Sequence, residues 1–291
     1  MAEPQRRLDP APIGVFDSGV GGLTVLAELL RELPDERFIY YADTANIPYG
    51  QRTEEDVRAL AANAARFLIG RGAKLIVVAC NSATVSARES LRATFDLPFV
   101  VVVPAVKPAA AATRSGVVGV ASTEVSARSH YLQTLIAEHA NGVRVLAVGC
   151  PQLVTLAEAG QLDGPEVEGA IRDYVAPMLA AGIDQLVLGC THFPAMRAAF
   201  ERVAGPGVAV IDSGAAIARR TRFVLGERAA LASARTALAA PRAPGAGDEF
   251  WCSGDPTPFA AVAAAILGHA IAPQHAPGMA RPLAPASTAR A

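Results

Sequence analysis

Two cysteines of this chain stand in matched settings. Cys80 follows the apolar, β-branched run of KLIVVACNSAT at 74–84, and Cys190 follows the run of DQLVLGCTH at 184–192. Polar residues come next in both places: Asn81, Ser82 and Thr84 after the first, Thr191 and His192 after the second. A free thiol has a pKa of about 8.5, and a helix N-terminus or a nearby cation pulls it down, so a thiol can work as acid or base near neutrality. Two such groups on opposite sides of a carbon could take a proton off one face and place one on the other. One would be thiolate while its partner is thiol, and the roles would exchange with direction. Each cysteine taken alone has a plainer reading, since burial as a small apolar residue is the commonest fate of a free Cys.

The pattern around these residues is strand and helix in alternation. Leu75–Ala79 reads as a strand buried on both faces of a parallel sheet, bounded by the Gly70-Arg71-Gly72 break. In open α/β sheets ligands bind outside the carboxyl ends of strands, where Cys80 would lie. Ile13–Phe16 is a shorter strand running into Asp17-Ser18-Gly19-Val20-Gly21-Gly22, and Leu23, Leu26, Ala27, Leu30 and Leu33 give the next helix its apolar stripe. The glycine-rich turn fits neither G-x-G-x-x-G nor a Walker motif, and Asp17 would repel phosphate. It reads equally as a tight turn or as a close approach to a ligand carrying an ammonium group. Phe38–Tyr41 is a further strand, leading to Asp43 and the loop Ile47-Pro48-Tyr49-Gly50, and Thr53 to Asp56 starts another helix as a capping box. Phe99–Val103 closes the first set of strands.

The pattern then restarts. Val117–Ala121 leads to Ser122-Thr123-Glu124, Arg144–Gly149 leads to Cys150-Pro151, Asp184–Gly189 leads to Cys190, and Val208–Ile211 leads to Asp212-Ser213. Gly14 and Gly119 are 105 residues apart and Cys80 and Cys190 are 110 apart, an internal duplication in the order of features. Glu249–Cys252 makes one more strand, with Ser253-Gly254-Asp255 as its turn, before a helix from Phe259 to His269. The expected fold is therefore α/β: two pseudo-symmetric domains, each a mainly parallel sheet flanked by helices, with the site in the cleft between them. Residues 1–11 are expected to be a flexible tail. Residues 12–104 plus 212–270 form the domain carrying Cys80, residues 105–211 the domain carrying Cys190, and 271–291 a disordered tail.

The bulk composition narrows the class. Of 291 residues, 52% are hydrophobic and 18% charged, with a net charge of −1, which fits neither a disordered polyelectrolyte nor a basic nucleic-acid binder. No run approaches the ~20 apolar residues of a membrane span, and the N-terminus has no apolar signal core. Four scattered cysteines without a C-x-x-C pair point to reduced thiols in the cytoplasm, and the five histidines show no zinc-ligand spacing. Cys150, Cys252, His130, His139, His269 and His275 read as structural or inert, and Asp212-Ser213 mostly as a helix cap.

Five ordered stretches, IGVFDSGVGGLTVL at 13–26, YYADTANIPYGQRT at 40–53, VVACNSAT at 77–84, CPQLVTLAEAG at 150–160 and LGCTHFP at 188–194, resemble those of the glutamate racemases within the aspartate/glutamate racemase superfamily. The resemblance implies a cofactor-independent, metal-free isomerase interconverting L- and D-glutamate for peptidoglycan synthesis. It implies Cys80 and Cys190 as the acid/base pair, Asp17 assisting the first, and His192 and Glu158 the second. It implies Asp17, Ser18, Pro48, Tyr49, Gly50, Asn81, Ser82, Thr84, Thr123, Thr191 and His192 as substrate-binding residues, and a homodimer. Ser82 stands where the family usually has Thr, Phe193 where Tyr is frequent, and Ser126 where a second Thr is common. Aspartate or hydantoin racemisation, or non-catalytic amino-acid binding, are the alternative readings.

Overall fold

The computed structural model describes residues 9–232, 241–245 and 247–276. In chain order the elements are β1 (Ile13–Asp17), α1 (Leu23–Glu32), β2 (Phe38–Ala42), α2 (Glu54–Gly70), β3 (Leu75–Val78), α3 (Asn81–Thr94), β4 (Phe99–Val101), α4 (Val106–Ala112), β5 (Val117–Ser122), α5 (Glu124–Ala127), α6 (His130–His139), β6 (Arg144–Gly149), α7 (Pro151–Glu158), α8 (Pro165–Ala180), β7 (Gln185–Gly189), α9 (Arg197–Ala204), β8 (Ala209–Ile211), α10 (Gly214–Glu227), β9 (Glu249–Cys252), α11 (Pro256–Leu267) and β10 (Gln274–His275).

They build two sheets whose strand pairs are all parallel. One has the order β10-β9-β2-β1-β3-β4 and the other β6-β5-β7-β8. Within them β2-β1-β3-β4 and β6-β5-β7-β8 are the same arrangement. In each, the chain steps from the first strand to one side and then crosses to the other. The strand order thus reverses beside β1 and beside β5, the place where open α/β sheets form a ligand crevice. Cys80 and Cys190 follow β3 and β7, the corresponding strands across each reversal.

The strands fold as they do because they are apolar on both faces. β1, β2, β3 and β7 are buried along their whole length, as parallel strands between helix layers must be. Four apolar clusters cover the four sheet faces: Leu23, Leu26 and Leu30 of α1 on one face of the larger sheet, Val57, Leu60 and Leu68 of α2 on the other, and Ile171, Val175 and Phe200 against Leu186 and Leu188 in the smaller. α2 begins at Thr53, whose hydroxyl accepts from Asp56 N–H as the capping box requires.

Several expectations need amendment. Residues 9–11 are tied down: Asp9 N–H donates to Leu231 O, and Lys74 Nζ donates to Asp9 O. Residues 271–276 are not a loose tail either, since Gln274 and His275 pair with β9 and Ala276 is buried. The remainder of both expected tails, 1–8 and 277–291, lies outside the described residues. Helices α4, α6 and α9 were not anticipated. Two are short, and their apolar stripes are thin, so periodicity gave little signal.

Candidate active site

A cavity of about 550 Å³, its mouth included, lies where the carboxyl ends of the two sheets meet. Ser18, Pro48, Tyr49, Gly50, Cys80, Asn81 and Ser82 line it from one sheet, and Thr123, Cys190, Thr191 and His192 from the other. Both thiols are buried. Each is placed by the same device, an apolar strand that cannot shift register without exposing its neighbours.

The two thiols have different surroundings. Cys80 Sγ donates to Ser18 Oγ at 3.7 Å. Burial, and then the Asp17 carboxylate, push this thiol well above its ordinary pKa, against the backbone N–H of Ala83 that would favour thiolate. The helix N-terminus expected to lower the pKa is present in α3 but is outweighed. Asp17 is fully buried, and desolvation raises its own pKa. Its carboxylate accepts from Gly22 N–H at 2.6 Å and Ser18 N–H at 2.7 Å.

On the other side a relay of contacts runs away from Cys190. His192 Nδ1 lies 3.5 Å from Cys190 Sγ, and His192 Nε2 lies 2.5 Å from Glu158 Oε1. Burial alone would depress the imidazolium, but Cys190 and Glu158 together hold the His192 pKa well above the usual histidine value. The imidazolium therefore has a partner on each ring nitrogen. Glu158 Oε1 also accepts from Val20 N–H at 3.0 Å, in the glycine-rich turn of the other half, and Thr24 Oγ1 donates to Thr191 O at 2.9 Å. A Cβ on Gly19 would stand 1.9 Å from Glu158 Oε1, and one on Gly21 would stand 2.6 Å from His192 Nδ1. The turn carries glycines because the second half approaches its backbone this closely.

Three of the residues expected at the site are not on the cavity wall. Asp17 stands behind Ser18, where its carboxylate accepts from the backbone N–H groups of Ser18 and Gly22 and so holds the turn. Glu158 stands behind His192. Thr84 is 1% exposed, and its Oγ1 has no hydrogen-bond partner among the described residues. Two helical residues beyond Ser82, it is rotated about 200° away from the cavity. Gln51, Glu124, Pro151, Val154 and Thr155 line the cavity without having been anticipated. Pro151, Val154 and Thr155 recur at i, i+3 and i+4 of α7, a spacing visible in CPQLVTLAEAG that marks one helix face.

The remaining cysteines differ. Cys150 Sγ donates to Val148 O, and burial pushes its thiol up to about 12. Cys252 lies in β9. Among the described residues no cluster of His, Cys, Asp and Glu could hold a metal ion, and no helix is long and apolar enough to cross a membrane.

Residues 13–221 match the model of the Asp/Glu/Hydantoin racemase family. A glutamate racemase of Herpetosiphon aurantiacus is 47% identical over 251 residues, 86% of this chain and 96% of that protein. Among solved structures, a glutamate racemase isoform of Bacillus anthracis superposes with a TM-score of 0.80 at 29% identity, covering 92% of this chain and 99% of that one. The Escherichia coli glutamate racemase, in complex with L-glutamate and the activator UDP-MurNAc-ala, superposes with a TM-score of 0.77 at 35% identity, covering 91% and 98%.

Proposed function

The chain belongs to the Asp/Glu/Hydantoin racemase family, and on that footing we propose that it interconverts L- and D-glutamate by passing the Cα proton between Cys80 and Cys190. The observation that carries this reading is that two thiols, delivered by different sheets, line one buried cavity. Glutamate is favoured over aspartate because the relative matched along most of its length is a glutamate racemase and the Escherichia coli structure holds L-glutamate. The product would serve peptidoglycan synthesis.

In one direction the thiolate of Cys190 removes the α-proton, and the C–H electron pair passes to carbon. The Cys80 thiol then gives its proton to the opposite face, and that pair forms the new C–H bond. The reverse direction exchanges the roles. The starting thiol at Cys80 accords with its raised pKa. Imidazolium at His192 offers positive charge to the sulfur of Cys190. Asn81, Ser82, Thr123 and Thr191 supply hydroxyls and amide groups for the substrate's carboxylates, and the loop of Pro48, Tyr49 and Gly50 closes one wall. Among the described residues no lysine lines the cavity: Lys74 lies at the far end of its strand with Nζ on Glu36, so the reading uses no Schiff base.

The functional division follows the sheets. We assign 12–104 with the returning segment from 212 to the Cys80 domain, and 105–211 to the Cys190 domain, with the return extending to 276 rather than 270. A homodimer and a cytoplasmic location complete the reading. All four cysteines are free, which suits a reducing compartment, and sedimentation tests the dimer.

The test is circular dichroism of L-glutamate with pure protein, repeated in D2O to follow deuterium at Cα. Wild type should bring the signal to zero, with aspartate unchanged. Cys80→Ser and Cys190→Ser should each lose racemisation by about 10²-fold or more. Wild-type rates in either serine variant would overturn the two-thiol mechanism.

A further inference from the structure

The turn Ser253-Gly254-Asp255 follows the last long strand, far from both cysteines in sequence. Its place in the fold is beside the substrate loop. β9 pairs with β2, so the chain's return lays Ser253 next to Asp43, at the carboxyl end of that strand. Asp43 is 2% exposed, and a buried carboxylate is stable only if donors surround it. Asn46 Nδ2 donates to Oδ1 at 2.9 Å and lies 3.1 Å from Oδ2. Tyr49 Oη donates to Oδ2 at 2.6 Å, and Ser253 Oγ donates to Oδ1 at 2.7 Å.

The same serine hydroxyl accepts from Ala45 N–H at 3.0 Å, and Gly254 N–H donates to Thr44 Oγ1 at 2.8 Å. The return thus grips residues 43–45 at two adjacent points. Asp43 in turn fixes Tyr49, whose ring is 1% exposed and whose phenol is kept neutral by burial and by that carboxylate. Tyr49 and Gly50 are cavity wall, and a Cβ built on Gly50 would stand 3.3 Å from Thr123 Cβ and 3.7 Å from Ser82 Oγ, two residues that line the same cavity, so Gly50 sits closely against its neighbours on the wall.

We propose that Ser253, on the C-terminal return, is a positioning residue for substrate binding: through Asp43 it sets where Tyr49 and Gly50 stand against the bound amino acid. Ser253 does not line the cavity, so it touches neither substrate nor thiol. Its effect falls on affinity, while proton transfer between the thiols is left as it was. The proposal rests on the glutamate reading above.

The experiment is steady-state racemisation of glutamate by the full chain, with melting temperature recorded for each variant. Ser253→Ala is expected to raise KM about 5- to 30-fold, the loss of one hydrogen bond to a buried charge, with kcat within about threefold of wild type. Ser253→Thr keeps the hydroxyl and should return KM to within about twofold of wild type. Leu225→Ala is the control: it weakens the same apolar core away from the turn and should lower the melting temperature with KM unmoved. Should Ser253→Ala prove insoluble, Ser253→Cys, a weak donor of similar size, is read the same way. An unshifted KM in the folded alanine or cysteine variant of Ser253 overturns the proposal, as does an equal rise in Leu225→Ala. A wild-type protein that does not racemise glutamate would instead overturn the reading on which it rests.

Discussion

Glu158 shows how one side chain serves both halves of this molecule. Its Oε1 holds the His192 ring on one side and the Val20 amide on the other, so the group that supports Cys190 is itself held by the turn carrying Asp17. Glu158→Gln should keep the shape and remove the charge. His192 in the folded protein has a raised pKa, so its charge contributes stability that is fully present below the unfolded value of 6.5 and is lost as pH rises through the folded value. The variant loses the part of that contribution that Glu158 supplies, beside the larger part from Cys190. Urea unfolding across pH should therefore show the gap between wild type and variant widest below pH 6.5 and narrowing at higher pH. A gap that grows with pH would contradict the assignment of an imidazolium here. The residue types at these positions could be read from LGCTH and CPQLVTLAEAG. The contact to Val20, 138 residues away in the chain, could not, because no local pattern records which loop a tertiary approach will meet.

Among the elements, the first strand of each sheet carries a glycine at the place where a helix crosses it. A Cβ at Gly14 would lie 3.0 and 3.1 Å from Leu68 Cδ1 and Cβ and 3.3 Å from Ala73 Cβ. A Cβ at Gly119 would lie 2.7 Å from Met178 Sδ and 3.0 Å from Ile183 Cδ1. The second contact is tighter, but it meets the ends of flexible side chains, whereas Leu68 Cβ and Ala73 Cβ are attached to backbone. Gly14→Ala should therefore cost about 1–3 kcal/mol and Gly119→Ala about 1 kcal/mol or less, by thermal or urea unfolding. The reverse order would show that the second helix is the stiffer packing partner. The strands themselves were legible: fully buried runs such as LIVV and FIYYA admit few alternatives. Short helices such as α4 and the two-residue β10 were not, since each owes its existence to the neighbour it packs or pairs with.

At the scale of the whole molecule, the end of the larger sheet opposite the cavity is closed by a buried ion pair. Lys74 Nζ meets Glu36 Oε2 at 2.7 Å, with side chains 5% and 3% exposed, and donates to Asp9 O, while Glu36 Oε1 accepts from Ala232 N–H. Four distant segments converge there. Lys74→Met leaves Glu36 buried without its cation and should cost about 3–5 kcal/mol, and adding Glu36→Gln should recover part of it. In both variants kcat and KM at a temperature where the protein stays folded should match wild type, since the pair lies at the amino end of β3. A lost kcat with intact folding would show that this end of the sheet is coupled to the site. The order of strands, polar turns and helices, the duplication that pairs Cys80 with Cys190, and the chemistry available to two thiols were all determined by the amino-acid sequence alone, because buried parallel strands and their capped helices are specified by local pattern. Only the tertiary structure decided that the two thiols differ, Cys80 with its pKa raised by burial and by Asp17, and Cys190 beside His192, whose pKa is raised in turn. It alone decided that Glu158 meets Val20 and that Ser253 meets Asp43 across long stretches of chain. Desolvation and hydrogen bonding depend on what is packed around a group, and that is settled by the meeting of segments from opposite ends of the chain.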